Sequence, residues 1–173
     1  MTLSYADAAA QITAPGERYE THEITVNGVT YTAFKGAPGT LRELFDLTTL
    51  YGDTEYLVYE DERYTFTEVH AHAAGLAAAL VNRYGVRKGD RVAIAMRNYP
   101  EWIMTYVGAL AAGAIVVSMN AWWTAEELDY GLEDSGTTVL VADAERVART
   151  RESAARLGIR TIGVRLGDGD TPE

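Results

Sequence analysis

Four apolar runs, RVAIAM (91–96), AIVVSM (114–119), TVLVA (138–142) and RTIGV (160–164), are separated by three stretches of helical periodicity. Nothing else in the chain limits its fold as tightly. Short runs rich in β-branched residues and flanked by helix signals read as strands buried on both faces. A strand–helix–strand repeat joined by short links needs a mostly parallel sheet covered by helices on both sides. Residues 91–164 therefore predict β-α-β-α-β-α-β, and the fold class is α/β.

Local signals place the helix ends. Asn98 is the expected cap of the first of these helices, with Glu101 three residues on as in a capping box, and Gly113 ends it. Thr124-Ala-Glu-Glu127 is a second capping box, opening a helix to about Ser135. The third helix is DAERVARTRESAARL, with Gly158 as its left-handed cap.

Upstream, β-hairpins are expected. Asn27-Gly28 lies between two β-rich arms, the signal of a type I′ turn. EYLVYE and RYTFT flank Asp61-Glu62 as a second pair. Residues 1–21 read as a short amphipathic helix with a turn at Pro15-Gly16. Thr40 is expected to cap a helix to about Leu50, and Thr67 to open one that ends near Tyr84, capped by Gly85. Residues 1–39 form an extension and 40–173 the start of the main domain.

Candidate chemistry is sparse. Ser135-Gly136-Thr137-Thr138 has the letters of a phosphate loop, but it follows a helix and precedes a strand. A helix C-terminus presents carbonyl oxygens and the negative end of the dipole, and Glu133 and Asp134 stand beside it. Gly136 is better read as a helix terminator. His70 and His72, two apart on a helix, point to different sides, and His22 is isolated, so no zinc site is expected. Asp168 and Asp170 resemble part of a calcium loop that lacks its closing Glu. Trp122 and Trp123 follow a strand end, where α/β proteins place ligands. Core or subunit packing is the simpler reading of that pair. No residue is assigned a catalytic, cofactor-binding or metal-binding role.

Composition narrows the partners. With 15 basic and 25 acidic residues the net charge is −10. That disfavours nucleic acid and anionic membranes, both of which bind through excess Lys and Arg. The chain has no Cys, hence no disulfide framework, and a cytoplasmic location is expected. MTLSYADAAAQITAPGERYE has no basic start followed by an apolar core, so no signal peptide is expected. The uncharged run from Trp102 to Trp123 is long enough to span a bilayer, but its Gly113 break and β-branched second half predict a buried helix and strand.

Several stretches together resemble the AMP-forming adenylate enzymes, and among them the acyl-CoA synthetases (fatty-acid–CoA ligases). They are RYTFTEVHAHAAGLAAAL, GDRVAIAMRNYPEWIMTYVGALAAGAIVVSMN and TAEELDYGLEDSGTTVLVAD. Leu110–Asn120 is similar to an early family signature but has Ser118-Met119 where Pro-Leu is usual. Tyr64–Val69 resembles another signature, and DSGTTVLV the family's helix-to-strand corner. The resemblance covers about residues 40–165. It implies an N-terminal portion of a ligase that uses ATP, Mg²⁺ and CoA to turn a carboxylic or fatty acid into acyl-CoA through an acyl-adenylate. The family's phosphate loop, hinge and catalytic Lys match no position here, so the chain by itself is expected to be inactive and to need no cofactor. The alternative is a non-catalytic α/β module that binds a ligand or associates with itself.

Overall fold

The structure is a computed structural model that describes residues 3–167. The chain divides into two compact units, residues 1–44 and 45–173.

In the first unit, helix α1 (Tyr5–Ile12) is capped by the Ser4 hydroxyl, which accepts from the Asp7 N–H. Strands β1 (Thr21–Val26) and β2 (Val29–Phe34) form an antiparallel hairpin. Asn27 (φ 50°) and Gly28 (φ 80°) both lie in the left-handed region, as a type I′ turn requires.

The second unit begins as α2 (Leu41–Asp46) ends. The helix expected to Leu50 becomes a 3-10 turn over Leu47–Tyr51. The Thr48 and Thr49 hydroxyls bond back to the carbonyls of Phe45 and Asp46, three residues earlier, which favours the tighter coil. Hairpin β3 (Glu55–Tyr59) and β4 (Glu62–Thr65) turns at Glu60-Asp61, one residue before the expected place, with Glu60 at φ 51°. Helix α3 (Phe66–Asn82) is capped by Thr65, not Thr67. Only Thr65 stands three residues before Glu68, so only it can close the reciprocal box. The helix ends at Arg83, and Gly85 (φ 64°) lies in the turn that follows.

The remaining elements alternate as expected: β5 (Arg91–Ala95), α4 (Pro100–Ala111), β6 (Ile115–Ser118), α5 (Ala125–Ser135), β7 (Thr137–Asp143), α6 (Ala144–Leu157) and β8 (Arg160–Val164). The four strands form one parallel sheet in the order β6-β5-β7-β8. Their period of two splits the core. Val92, Ile94, Met96, Val139 and Val141 pack with Leu80 of α3 and Ala109 of α4. Ala93, Ala95, Leu140 and Ala142 pack with Leu128 and Leu132 of α5 and Val147 and Ala154 of α6. Each face is thus roofed by two helices, which is why the strands read as continuous apolar runs.

The start of α4, like that of α3, differs from the expected one. Tyr99, not Asn98, is the N-cap of α4, and no side chain bonds there. Pro100 occupies the first helical position, which its fixed φ suits, and this moves the boundary one residue on. The uncharged run 102–123 divides into α4, β6 and a turn. No described helix is long and apolar enough to cross a membrane.

Candidate functional site

Strand β5 leads through α4 to β6 on one side, and β6 leads through α5 to β7 on the other side of β5. The connections diverge between β5 and β7, and α/β sheets bind ligands at the carboxyl ends of such a pair. Two loops, those after β5 (97–99) and β6 (119–124), meet there with the direct junction of β7 and α6 at Asp143.

A buried ion pair ties them. Asp143 ends β7 and caps α6 by accepting from the Arg146 N–H at 3.1 Å. Its carboxylate also takes the Arg146 guanidinium, at 3.2 and 3.3 Å, and the Arg97 N–H, at 3.0 Å. The Arg146 side chain is 1% exposed. Its Nε donates to the Ala121 carbonyl at 2.7 Å, Nη2 donates to the same oxygen, and Nη1 also meets Glu145. One buried pair therefore holds the backbone after β5 at Arg97 and the backbone after β6 at Ala121. Dry charges are tolerated because every one has a partner.

Above this pair is an open groove of about 400 Å³ lined by Tyr59, Arg97, Asn98, Tyr99, Ala121 and Trp122. The Arg97 guanidinium lies 4.9 Å from the Trp122 ring centre. The tryptophan pair thus separates: Trp123 packs against the core, whereas Trp122 is 72% exposed. Sequence periodicity could not divide two adjacent aromatics in a turn. The backbone is what separates them, with the Asn120 side chain accepting the Trp122 N–H at 2.9 Å and Arg149 holding the Trp123 carbonyl.

The far wall is set by Arg165, just after β8. Its guanidinium is 5.0 Å from the Tyr59 ring and 4.8 Å from Tyr99, and it pairs with Glu62 and Glu101 at 2.8 and 2.9 Å. The Tyr64 hydroxyl and Arg165 together hold the Glu62 carboxyl below its ordinary 4.5. A carboxyl with a depressed folded pKa stabilises the fold above its unfolded value and ceases to do so as pH falls through the folded one. We expect Glu62→Gln to lower stability at pH 7, and the gap to wild type to shrink as pH drops below 4.5. Urea midpoints of both proteins between pH 7 and pH 3 test this, and a gap independent of pH would remove Glu62 from the network.

The other candidates resolve as structural. Gly136 is the left-handed cap of α5 (φ 61°). The corner is filled by Arg91, whose Nε and Nη2 donate to the carbonyls of Ser135 and Gly136 at 2.9 and 2.8 Å. The Ser135 and Thr137 hydroxyls bond each other, and Thr138 donates to the Arg91 carbonyl. A cation sits where a helix C-terminus wants one, and a phosphate does not fit. His70 bonds Thr48 at 2.8 Å while His72 meets the Tyr64 ring edge-on, so they serve different neighbours. Among the described residues no three His, Cys, Asp or Glu side chains converge to hold a metal ion. Asp168 and Asp170 lie outside the described residues.

Residues 46–171 match the family model described as "AMP-binding enzyme". The chain belongs to that family. It is 37% identical over 130 residues to a long-chain-fatty-acid–CoA ligase of Salmonella typhimurium, covering 74% of this chain and 23% of the relative. It is 38% identical over 103 residues to 4-coumarate–CoA ligase 3 of Oryza sativa subsp. japonica, covering 60% and 18%. Among solved structures it resembles the O-succinylbenzoate coenzyme A synthetase of Bacillus subtilis in complex with AMP, with a TM-score of 0.61 and 28% identity over 69% of this chain and 30% of that one. The chain of this AMP-binding family member thus spans about a quarter or less of the curated relatives it matches.

Proposed function

We propose that these residues are the N-terminal part of an ATP-dependent acid–CoA ligase, and that the ligation is carried out only by a longer protein. The observation that carries this is the 37% identity to a fatty-acid–CoA ligase over most of the chain but under a quarter of the relative. In such a reaction a carboxylate attacks the α-phosphorus of ATP, pyrophosphate leaves, and the CoA thiol then displaces AMP from the acyl-adenylate. The acid is a carboxylic or fatty acid, and the longer protein uses ATP, Mg²⁺ and CoA in the cytoplasm. Phosphoryl chemistry of this kind depends on preorganised cations and N–H donors around the phosphates. The phosphate-like corner here is occupied by Arg91 instead. We assign no catalytic residue to this chain, and we place the domain boundary at 39/40.

The expected result is no pyrophosphate release from ATP, Mg²⁺ and a panel of aliphatic and aryl acids by the 173-residue chain, and thioester formation by the longer protein that contains it. Release by the short chain would end the claim of inactivity. A longer protein that makes no thioester would end the ligase reading.

Self-association is the second reading, and it rests on the sheet's outer strands, β6 and β8, each paired on one side only among the described residues. Sedimentation of the 173-residue chain at rising concentration would show it, and a constant monomer mass would exclude it.

A further inference from the structure

We infer that the amino end of the parallel sheet is a docking surface for an acidic segment of a partner protein, centred on Tyr84 between Arg83 and Arg160. The guanidinium carbons of Arg83 and Arg160 lie 5.7 and 5.6 Å from the centre of the Tyr84 ring, and Arg160 also donates to the Tyr84 carbonyl. Arg87 and Lys88 follow in the turn that enters β5. That turn is tied to the start of β6, because the Gly89 and Ile115 N–H groups donate to the Gly113 and Asp90 carbonyls at 3.0 and 2.8 Å. Arg83, Arg87, Lys88 and Arg160 are all exposed, and among the described residues none of them forms a salt bridge. The Asp90 carboxylate accepts the Arg87 N–H, and Glu133, beside Asp134 at the end of α5, is taken by Arg156.

Two guanidinium groups held on one ring repel each other, and an anion set between them relieves that repulsion. Arg meets a carboxylate through two parallel N–H bonds, which gives the contact direction as well as charge. Apolar surface flanks the cations. Val81, one helical turn before Tyr84, is 46% exposed, and Ile115, at the start of β6, is 53% exposed. Arg and Tyr beside exposed aliphatic side chains make the composition of a protein interface. The net charge of −10 decides which anion fits. A membrane or a nucleic acid is an extended array of negative charge, and the rest of this acidic chain repels it. A short acidic segment meets the patch alone, because salt screens charges beyond about 8 Å under physiological conditions. The occupant is therefore a stretch of Asp and Glu with aliphatic side chains among them.

The inference stands apart from the ligase reading, because the patch lies at the end of the sheet opposite the candidate groove. The test is fluorescence anisotropy of a fluorescein-labelled peptide of glutamates interspersed with leucines, titrated with the 173-residue chain. The peptide should bind at least tenfold more tightly than its glutamine–leucine counterpart, and the binding should weaken as salt rises. Arg83→Glu combined with Arg160→Glu should weaken it at least tenfold. Where that pair lowers the thermal melt, Arg87→Glu combined with Lys88→Glu, both in the turn, carries the test with the same expected loss. Arg18→Glu combined with Arg151→Glu makes the same change in net charge at exposed positions outside the patch, and should leave the affinity within about threefold, since the field of each charge is screened within a Debye length. An equal loss from this control pair would show that net charge and not the patch is read, and would overturn the site. No binding of the glutamate peptide, or equal binding of the glutamine peptide, would overturn it too. Tighter binding to phosphatidylglycerol vesicles than to the peptide would assign the patch to a lipid surface and overturn the protein partner. Self-association of the chain that is lost with Arg83→Glu and Arg160→Glu would make a second copy the occupant and overturn it likewise.

Discussion

Asp143→Ala is expected to destabilise the unit of residues 45–173 by up to about 3–5 kcal/mol, because it leaves the buried Arg146 cation with only the half-exposed Glu145 carboxylate as a charged partner. The same change removes the side-chain cap of α6, worth about 1 kcal/mol in typical cases, and the acceptor for the Arg97 N–H. Thermal unfolding should fall by roughly 10 °C or more. The pair does not owe its place to a large net energy, since replacing both charges of such a pair by apolar groups is often close to neutral. Asp143→Ala combined with Arg146→Met should therefore cost less than Asp143→Ala alone, although both members of the pair are then gone. Urea unfolding of the two variants decides it. A single variant within about 1 kcal/mol of wild type would show that the pair is not desolvated.

Gly136→Ala is expected to cost about 2–3 kcal/mol. A non-glycine residue in the left-handed region costs about 1–2 kcal/mol, and here the new Cβ would also stand 2.6 Å from Arg91 Nη2. Arg91 would have to withdraw, leaving the carbonyls of Ser135 and Gly136 without their cation. Gly158 is the internal control. It caps α6 with nearly the same φ, 67°, but nothing lies within 4 Å of the Cβ it would gain. Gly158→Ala should show the backbone cost alone, and the excess at Gly136 isolates the Arg91 contact. Equal losses at the two glycines would mean that Arg91 follows the new methyl freely and does not hold the corner.

Side-chain chemistry was legible wherever a single local device sets it. The capping box Thr124–Glu127, the Asn27-Gly28 turn and the glycine caps at 136 and 158 each depend on residues three or fewer apart, and each stands where the sequence placed it. The rejection of Ser135–Thr138 as a phosphate loop came from the same kind of reasoning, since the order helix, glycine, strand already sets the direction of the dipole. Errors arose where two signals competed within a turn of each other: Asn98 against Pro100, Thr67 against Thr65.

The sequence by itself determined the α/β alternation, the order of the last seven elements and the family resemblance. Periodicity and caps are properties of neighbours along the chain, and they survive without knowledge of the fold. Only the tertiary structure decided that β7 pairs beside β5 and not beside β6, which creates the divergence point at the sheet's carboxyl end. It alone separated Trp122 from Trp123, placed Arg91 in the corner 44 residues from its partner Ser135 and joined Asp143 to Arg97 across 46 residues. Contacts of that span depend on strand order and crossover, which no local pattern of residues encodes.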